Sequence, residues 1–222
     1  MKKVIDITGE IYNGMWSYGK PFPDVHIRPL DEIDWVKYSV YCEVFDGMNS
    51  QCGTYLETPA HLLGNKSYPL IDVDAEKLVD IPAVILNVGD LTDCCSAPIT
   101  LDMIKNCAGA SLLKKGQAVL ICTSWGKLWK EETYLSDSPY ITREAMDFLI
   151  SQEPFLLASD FPRWDNLKNP QGFWNDFYNA DILMLAPCVN LELAQKPEAE
   201  LTVLPVKVTV TSCAPCRAVL KV

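Results

Sequence analysis

The chain has 222 residues, 49% of them hydrophobic, with a formal net charge of −10 and a sequence pI near 4.7. A domain of this size buries roughly 70% of its unfolded surface and needs no staples, and no apolar run reaches the ~18 residues that suggest a membrane span. Phosphate backbones are gripped by clustered Lys and Arg, so 19 scattered basic residues against 29 acidic ones exclude nucleic acid as a partner.

Nine cysteines are an odd number, and the first residues meet Asp6 before any apolar centre of an export signal. Reduced thiols and a cytoplasmic location are therefore expected. The histidine count decides more. His26 and His61 are the only two, so a metal site built from several imidazoles cannot be assembled within one subunit.

In chain order, Val4 to Ile7 reads as a short strand, and Tyr12 to Asp24, rich in Gly, Pro and aromatics, reads as a loop that covers something. Asp24 to Arg28 alternates as a strand, which makes His26 a half-exposed strand histidine. Tyr38 to Phe45, β-branched and aromatic, predicts another strand that leads through Asp46-Gly47 into the window Gln51 to His61. Two apolar runs, Pro82 to Val88 and Gln117 to Thr123, have the length of buried strands. Thr100 and Thr142 are placed to cap helices, the second with Ala145, Phe148 and Leu149 on one face. Trp125 and Trp129 predict core or subunit contacts. Leu201 to Val210 is β-branched but interrupted by Pro205, which predicts an edge or two strands. Cys213 and Cys216 form a C-x-x-C, yet no helix pattern follows and no second pair has metal spacing; Cys94-Cys95 has none either. No linker or repeat divides residues 1–222, so one α/β domain is expected.

The densest chemistry lies in Gln51-Cys52-Gly53-Thr54-Tyr55-Leu56-Glu57-Thr58-Pro59-Ala60-His61. This window resembles the signature of the cyclase superfamily of kynurenine formamidase and isatin hydrolase, His-x-Gly-Thr-His-x-Asp-x-Pro-x-His. Gly53, Thr54, Pro59 and His61 keep the frame, while Gln51, Tyr55 and Glu57 replace two histidines and the aspartate. Further fragments follow in the same order: the opening strand, Thr123-Ser124-Trp125, Asp160 on a matching aspartate, Asn190-Leu191, and Cys213 to Ala218 on a closing Gly-Ser-Pro-x-Arg-Ala run. By spacing, a later glutamate ligand becomes Ala186 and a histidine falls at or near Trp174.

The resemblance implies a swivelling β/β/α fold, a homo-oligomer and a small-molecule substrate. In its metal-dependent members a metal-bound hydroxide attacks an amide or lactone carbonyl, and a histidine matching His61 handles protons. Without the ligands, His61 and Glu57 are the expected acid/base pair, Tyr55 the donor to a developing oxyanion, and Gln51, Cys52, Asp160 and Trp174 the substrate contacts. Cys52 is not expected to act as a nucleophile, for want of an orienting group. Three readings stay open: a metal-independent hydrolase, cyclase or lyase on an amide, lactone or cyclic imide, with no cofactor; a non-catalytic relative that binds a small molecule or a partner; and a rebuilt site holding one divalent metal, zinc or manganese, on Cys52, Glu57 and His61, with His26 as a further candidate.

Overall fold

The computed structural model describes every residue except 1, 2, 31, 32, 34 and 39. Its centre is a sheet that closes on itself. In chain order the sheet strands are β1 (Val4–Asp6), β4 (Tyr55–Glu57), β5 (Ile81–Asn87), β7 (Ala118–Cys122), β9 (Leu156–Ser159), β10 (Leu183–Ala186), β11 (Glu198–Pro205) and β12 (Cys213–Lys221). They pair in the order β1-β12-β11-β5-β7-β9-β10-β4, and an added β12–β4 pairing closes all but β1 into a barrel. The wall β5-β7-β9-β10 is parallel and largely buried on both faces, as parallel strands are; β5 and β7 are the two apolar runs of the sequence, and β10 was not singled out there.

Alternation divides each strand between two cores. On β7, Ala118, Leu120 and Cys122 fill the barrel interior, and Val119 and Ile121 join the outer core. Three helices supply that outer core: α2 (Leu101–Asn106), α3 (Arg143–Ser151) and α4 (Trp174–Asn179). The two predicted caps form, Thr100 Oγ1 accepting from Met103 N at 3.3 Å and Thr142 Oγ1 from Ala145 N at 3.4 Å. Trp125 and Trp129 are core residues, each donating its indole N–H to a backbone carbonyl of this chain.

Two sequence expectations change. The strand predicted from Tyr38 reduces to β3 (Glu43–Asp46), paired in a hairpin with β2 (His26–Pro29). Ser39 lies outside the described residues, and Tyr38, Val40 and Tyr41 are exposed without strand pairing, so apolar alternation there has no second layer to pack against. Pro205 ends β11 instead of interrupting it. Its missing N–H falls at the strand's last residue, so β11 stays central, paired with both β12 and β5. A short parallel pair, β6 (Pro98–Ile99) with β8 (Tyr140–Ile141), completes the strands, and α1 (Ala60–Leu63) follows β4. Among the described residues no helix is long and apolar enough to cross a membrane.

Candidate active site

The site grows from β4, which has only three residues and all of them buried. Leu56 points into the barrel; Tyr55 lies in the outer core, and Glu57, on the same side, lines the cleft. Register sets their neighbours, with Glu57 opposite Met184 on β10 and Cys213 on β12, and Tyr55 opposite Ala186. The Gly-Thr frame before β4 is structural. Gly53 has φ +66°, and a Cβ there would lie 2.8 Å from Ile11 Cγ1. Thr54 Oγ1 accepts from Gly9 N at 2.8 Å and donates to Pro187 O at 2.6 Å, tying β4 to the chain on either side. The turn after β4 then places His61 on α1, four residues beyond Glu57.

Glu57 is fully buried, its Oε1 accepting from the Tyr178 hydroxyl. Its Oε2 lies 3.5 Å from His61 Nδ1 and accepts from Gln51 Nε2 at 3.4 Å. Burial pushes the Glu57 carboxyl up to about 7 against these two hydrogen bonds, and burial lowers His61. The Tyr55 hydroxyl lies 3.0 Å from that of Tyr18 and accepts from Gln51 Nε2 at 3.4 Å, while Tyr18 donates to Pro162 O at 3.2 Å. Burial holds the Tyr55 phenol well above its usual range, so it stays protonated. Cys213 Sγ sits 4.0 Å from His61 Nδ1, its thiol pushed up to about 11 by burial.

All of these groups but Cys213 line a cleft of about 450 Å³. The loop expected to cover the site supplies Tyr18 and Phe22 to its wall. The opposite wall is α4, where Trp174 and Tyr178 stack at 5.7 Å one helical turn apart, with Trp164 stacked on Trp174 at 6.2 Å. Arg163 lines the rim with its guanidinium 5.6 Å from the Tyr18 ring.

Of the residues singled out in the sequence, Gln51, Tyr55, Glu57, His61 and Trp174 converge on this cleft. Asp160 and Cys52 do not. Asp160 is fully buried at the end of β9 and accepts from Thr123 N and Oγ1, which ties β9 to β7; burial pushes it up to about 7. Cys52 is buried in the turn before β4, its Sγ accepting from Asn49 N. Among the described residues the cluster that could hold a cation is Glu57, His61 and Cys213, with Cys213 where Cys52 was expected, and His26 lies on the β2–β3 hairpin outside it. Tyr18, Tyr178 and Cys213 were missed. Tyr178 carries a helical signal, one turn from Trp174, and Cys213 stands where the resembling run has glycine. The C-x-x-C reading dissolves on β12, because Cys213 faces the outer core and Cys216 the interior.

The family model described as "Putative cyclase" matches residues 5–166. The chain belongs to this cyclase family. Among solved structures it is similar to an isatin hydrolase bound to the product analogue thioisatinate, at 21% identity and TM-score 0.81 over 99% of this chain and 92% of that one. Isatin hydrolase A from Labrenzia aggregata, bound to benzyl benzoate, gives 19% identity and TM-score 0.82 over 99% and 93%. A predicted metal-dependent hydrolase from Bacillus stearothermophilus gives 19% and 0.76 over 99% and 98%. No curated protein matches the sequence. The barrel with its outer helices is thus the cyclase fold that the signature implied.

The metal that such relatives are named for does not fit the signature positions here. Gln51 offers a neutral amide and Tyr55 a protonated phenol, and the two are hydrogen-bonded to each other. Ala186, where the resemblance puts a glutamate, presents a methyl group beside Tyr55, and Trp174 is a cleft wall. These are poor donors for zinc or manganese.

Proposed function

We propose that this cyclase-family member is a hydrolase or cyclase acting on a small, flat carbonyl compound, an amide, lactone or cyclic imide, through His61 and Glu57 without a metal. The observation that carries the reading is the buried Glu57 carboxylate facing His61 Nδ1 at 3.5 Å in the wall of an aromatic cleft. An imidazole oriented through Nδ1 by a buried carboxylate leaves Nε2 to act as general base. In the hydrolytic direction Nε2 takes a proton from water, the hydroxide oxygen bonds to the carbonyl carbon, and the carbon–nitrogen or carbon–oxygen bond breaks. The imidazolium, stabilised by Glu57, returns its proton to the leaving atom.

The placement of donors refines the roles expected from the sequence. Gln51 Nε2 is engaged only through two bonds at the long limit, 3.4 Å each, so it can turn to the substrate carbonyl. Tyr55 is held in the Tyr18–Pro162 chain and positions Gln51. Trp174 and Phe22 provide flat apolar surface, and Arg163 at the rim suits the carboxylate that hydrolysis releases. The relatives' names agree with a compact aromatic substrate, an isatin hydrolase with thioisatinate and one with benzyl benzoate.

The reading is tested by assaying chelator-treated protein against aryl lactams, aryl lactones, cyclic imides and aryl formamides. Turnover of one of them that survives chelation and is lost in His61→Ala is expected. Turnover that appears only on adding a divalent metal would refute it.

A further inference from the structure

Three potential ligand atoms lie together where β4, β12 and α1 meet beside the cleft. Glu57 and Cys213 are direct cross-strand partners on the outer face of β4 and β12, and His61 folds back over them from α1. Glu57 Oε2 lies 3.5 Å and Cys213 Sγ 4.0 Å from the same nitrogen, His61 Nδ1, and all three ligand atoms lie within 4.8 Å of one another.

That shared nitrogen decides what the cluster can be. A thiol relay needs the nucleophile on one ring nitrogen and the orienting carboxylate on the other. Here both face Nδ1, and Cys213 is only 2% exposed, so its sulfur has no open line to a carbonyl in the cleft. A cation needs the opposite arrangement, with all donors aimed at one point. Around a tetrahedral zinc with ordinary bond lengths, ligand atoms are roughly 3.4–3.6 Å apart. The carboxylate already lies at that distance from Nδ1, the sulfur 4.0 Å from it, and all three atoms lie within 4.8 Å of one another, so binding draws the sulfur inward.

We propose that Glu57, His61 and Cys213 form a three-ligand site for a thiophilic divalent cation, zinc first, with the fourth position left to water or to a ligand in the cleft. Sulfur with imidazole and a single carboxylate selects zinc over manganese, magnesium or calcium, which prefer oxygen-rich sets. The site departs from the set the signature implies: it keeps the positions of Glu57 and His61, but Gln51 and Tyr55 take no part and Cys213 stands at a position where the resembling run has glycine. The ligand geometry supports it independently of the proton-transfer reading. If that reading holds, zinc is an inhibitor, since it occupies the Nδ1 and Oε2 atoms that orient the base.

The test uses the purified full chain, freed of metal by chelator and dialysis, and titrated with Co²⁺ alone. One equivalent should bind with a sulfur-to-cobalt charge-transfer band in the near ultraviolet, and Zn²⁺ should bleach it. Cys213→Ser should abolish the band and weaken zinc by more than the roughly 10–100-fold that loss of a supporting partner costs. Cys52→Ser should keep both. Absence of saturable cobalt binding by the wild-type chain, or a band that persists in Cys213→Ser, overturns the site. The wild-type titration needs no variant, so a Cys213→Ser protein that fails to fold leaves it decisive. Absorbance does not depend on turnover, so this proposal and the proposed reaction fail separately.

Discussion

The two faces of the barrel wall obey different rules. The inward face carries Leu56, Leu120, Ala158, Leu185, Ala214 and Leu220, apolar and almost fully buried. The outward face of the same strands also carries apolar residues, but around β4 it presents Tyr55 and Glu57 to a cleft that helices and a loop enclose, with Cys213 buried beside Glu57. Because strand side chains alternate, neighbours one residue apart can serve opposite ends. Leu56 holds the barrel, and Glu57 bears a buried charge whose cost is offset by Tyr178, Gln51 and His61. Stability and chemistry are therefore separable by single substitutions on one three-residue strand.

The sharpest separation should come from the outer face. His61→Ala and Glu57→Gln are each expected to lower turnover ~10²–10⁴-fold, the range for loss of a general base, while melting temperature stays nearly unchanged. Steady-state kinetics beside a thermal melt checks this, and loss of turnover through unfolding would count against the assignment. Leu56→Ala should do the reverse. It opens a cavity in the interior and should cost about 2–5 kcal/mol in denaturant unfolding, with the remaining folded fraction turning over normally.

A smaller effect tests the seam between β7 and β9. Burial pushes the Asp160 carboxyl up to about 7, from 3.8 for an ordinary aspartate. The folded chain then binds this proton more tightly than the unfolded chain does. Its contribution is fully present below pH 4 and is lost as pH rises toward 7, at up to ~1.4 kcal/mol per pH unit. Asp160→Asn should remove that part of the slope between pH 4 and 7. An unchanged slope in the variant would show that Asp160 is ionised in the folded chain.

The weakest effect on the reaction belongs to the hairpin β2–β3. Trp35, Tyr38 and Tyr41 on its connection are 84%, 83% and 96% exposed. We propose that they join copies of the chain in a homo-oligomer, because exposed aromatics in such a group mark association surfaces. Tyr41→Asp should shift sedimentation toward a smaller species. A wild-type monomer at micromolar concentration would refute the proposal.

The sequence made much of the barrel wall legible, because β5 and β7 fall on apolar runs of strand length and β9 on a strand of the resembling family, while β10 went unread; the two threonine caps mark helix starts. It also placed five residues of the cleft, since the single window Gln51 to His61 carries four of them. What escaped depended on distant pairing. Tyr178 and Cys213 reach Glu57 only through α4 and the β4–β12 register. Asp160 was set in the site because it falls on an aspartate of the resembling family, but here Thr123 captures it. Cys52 looked like a ligand by proximity in sequence, yet it lies in the turn before the strand, where alternation no longer fixes the direction of a side chain.

The β4–β12 pairing also sets the order in which this molecule can come together. Cys213 and His61 are 152 residues apart, and closing a loop of that length costs roughly 4–5 kcal/mol of chain entropy. The parallel wall gathers from shorter separations and can exist beforehand. The cleft cannot, because β4 alone is too short to hold Glu57 away from water. The seam behaves as a latch that engages last and slips first, so mild denaturant should erase catalytic competence while β5, β7 and β9 still protect their amides from exchange.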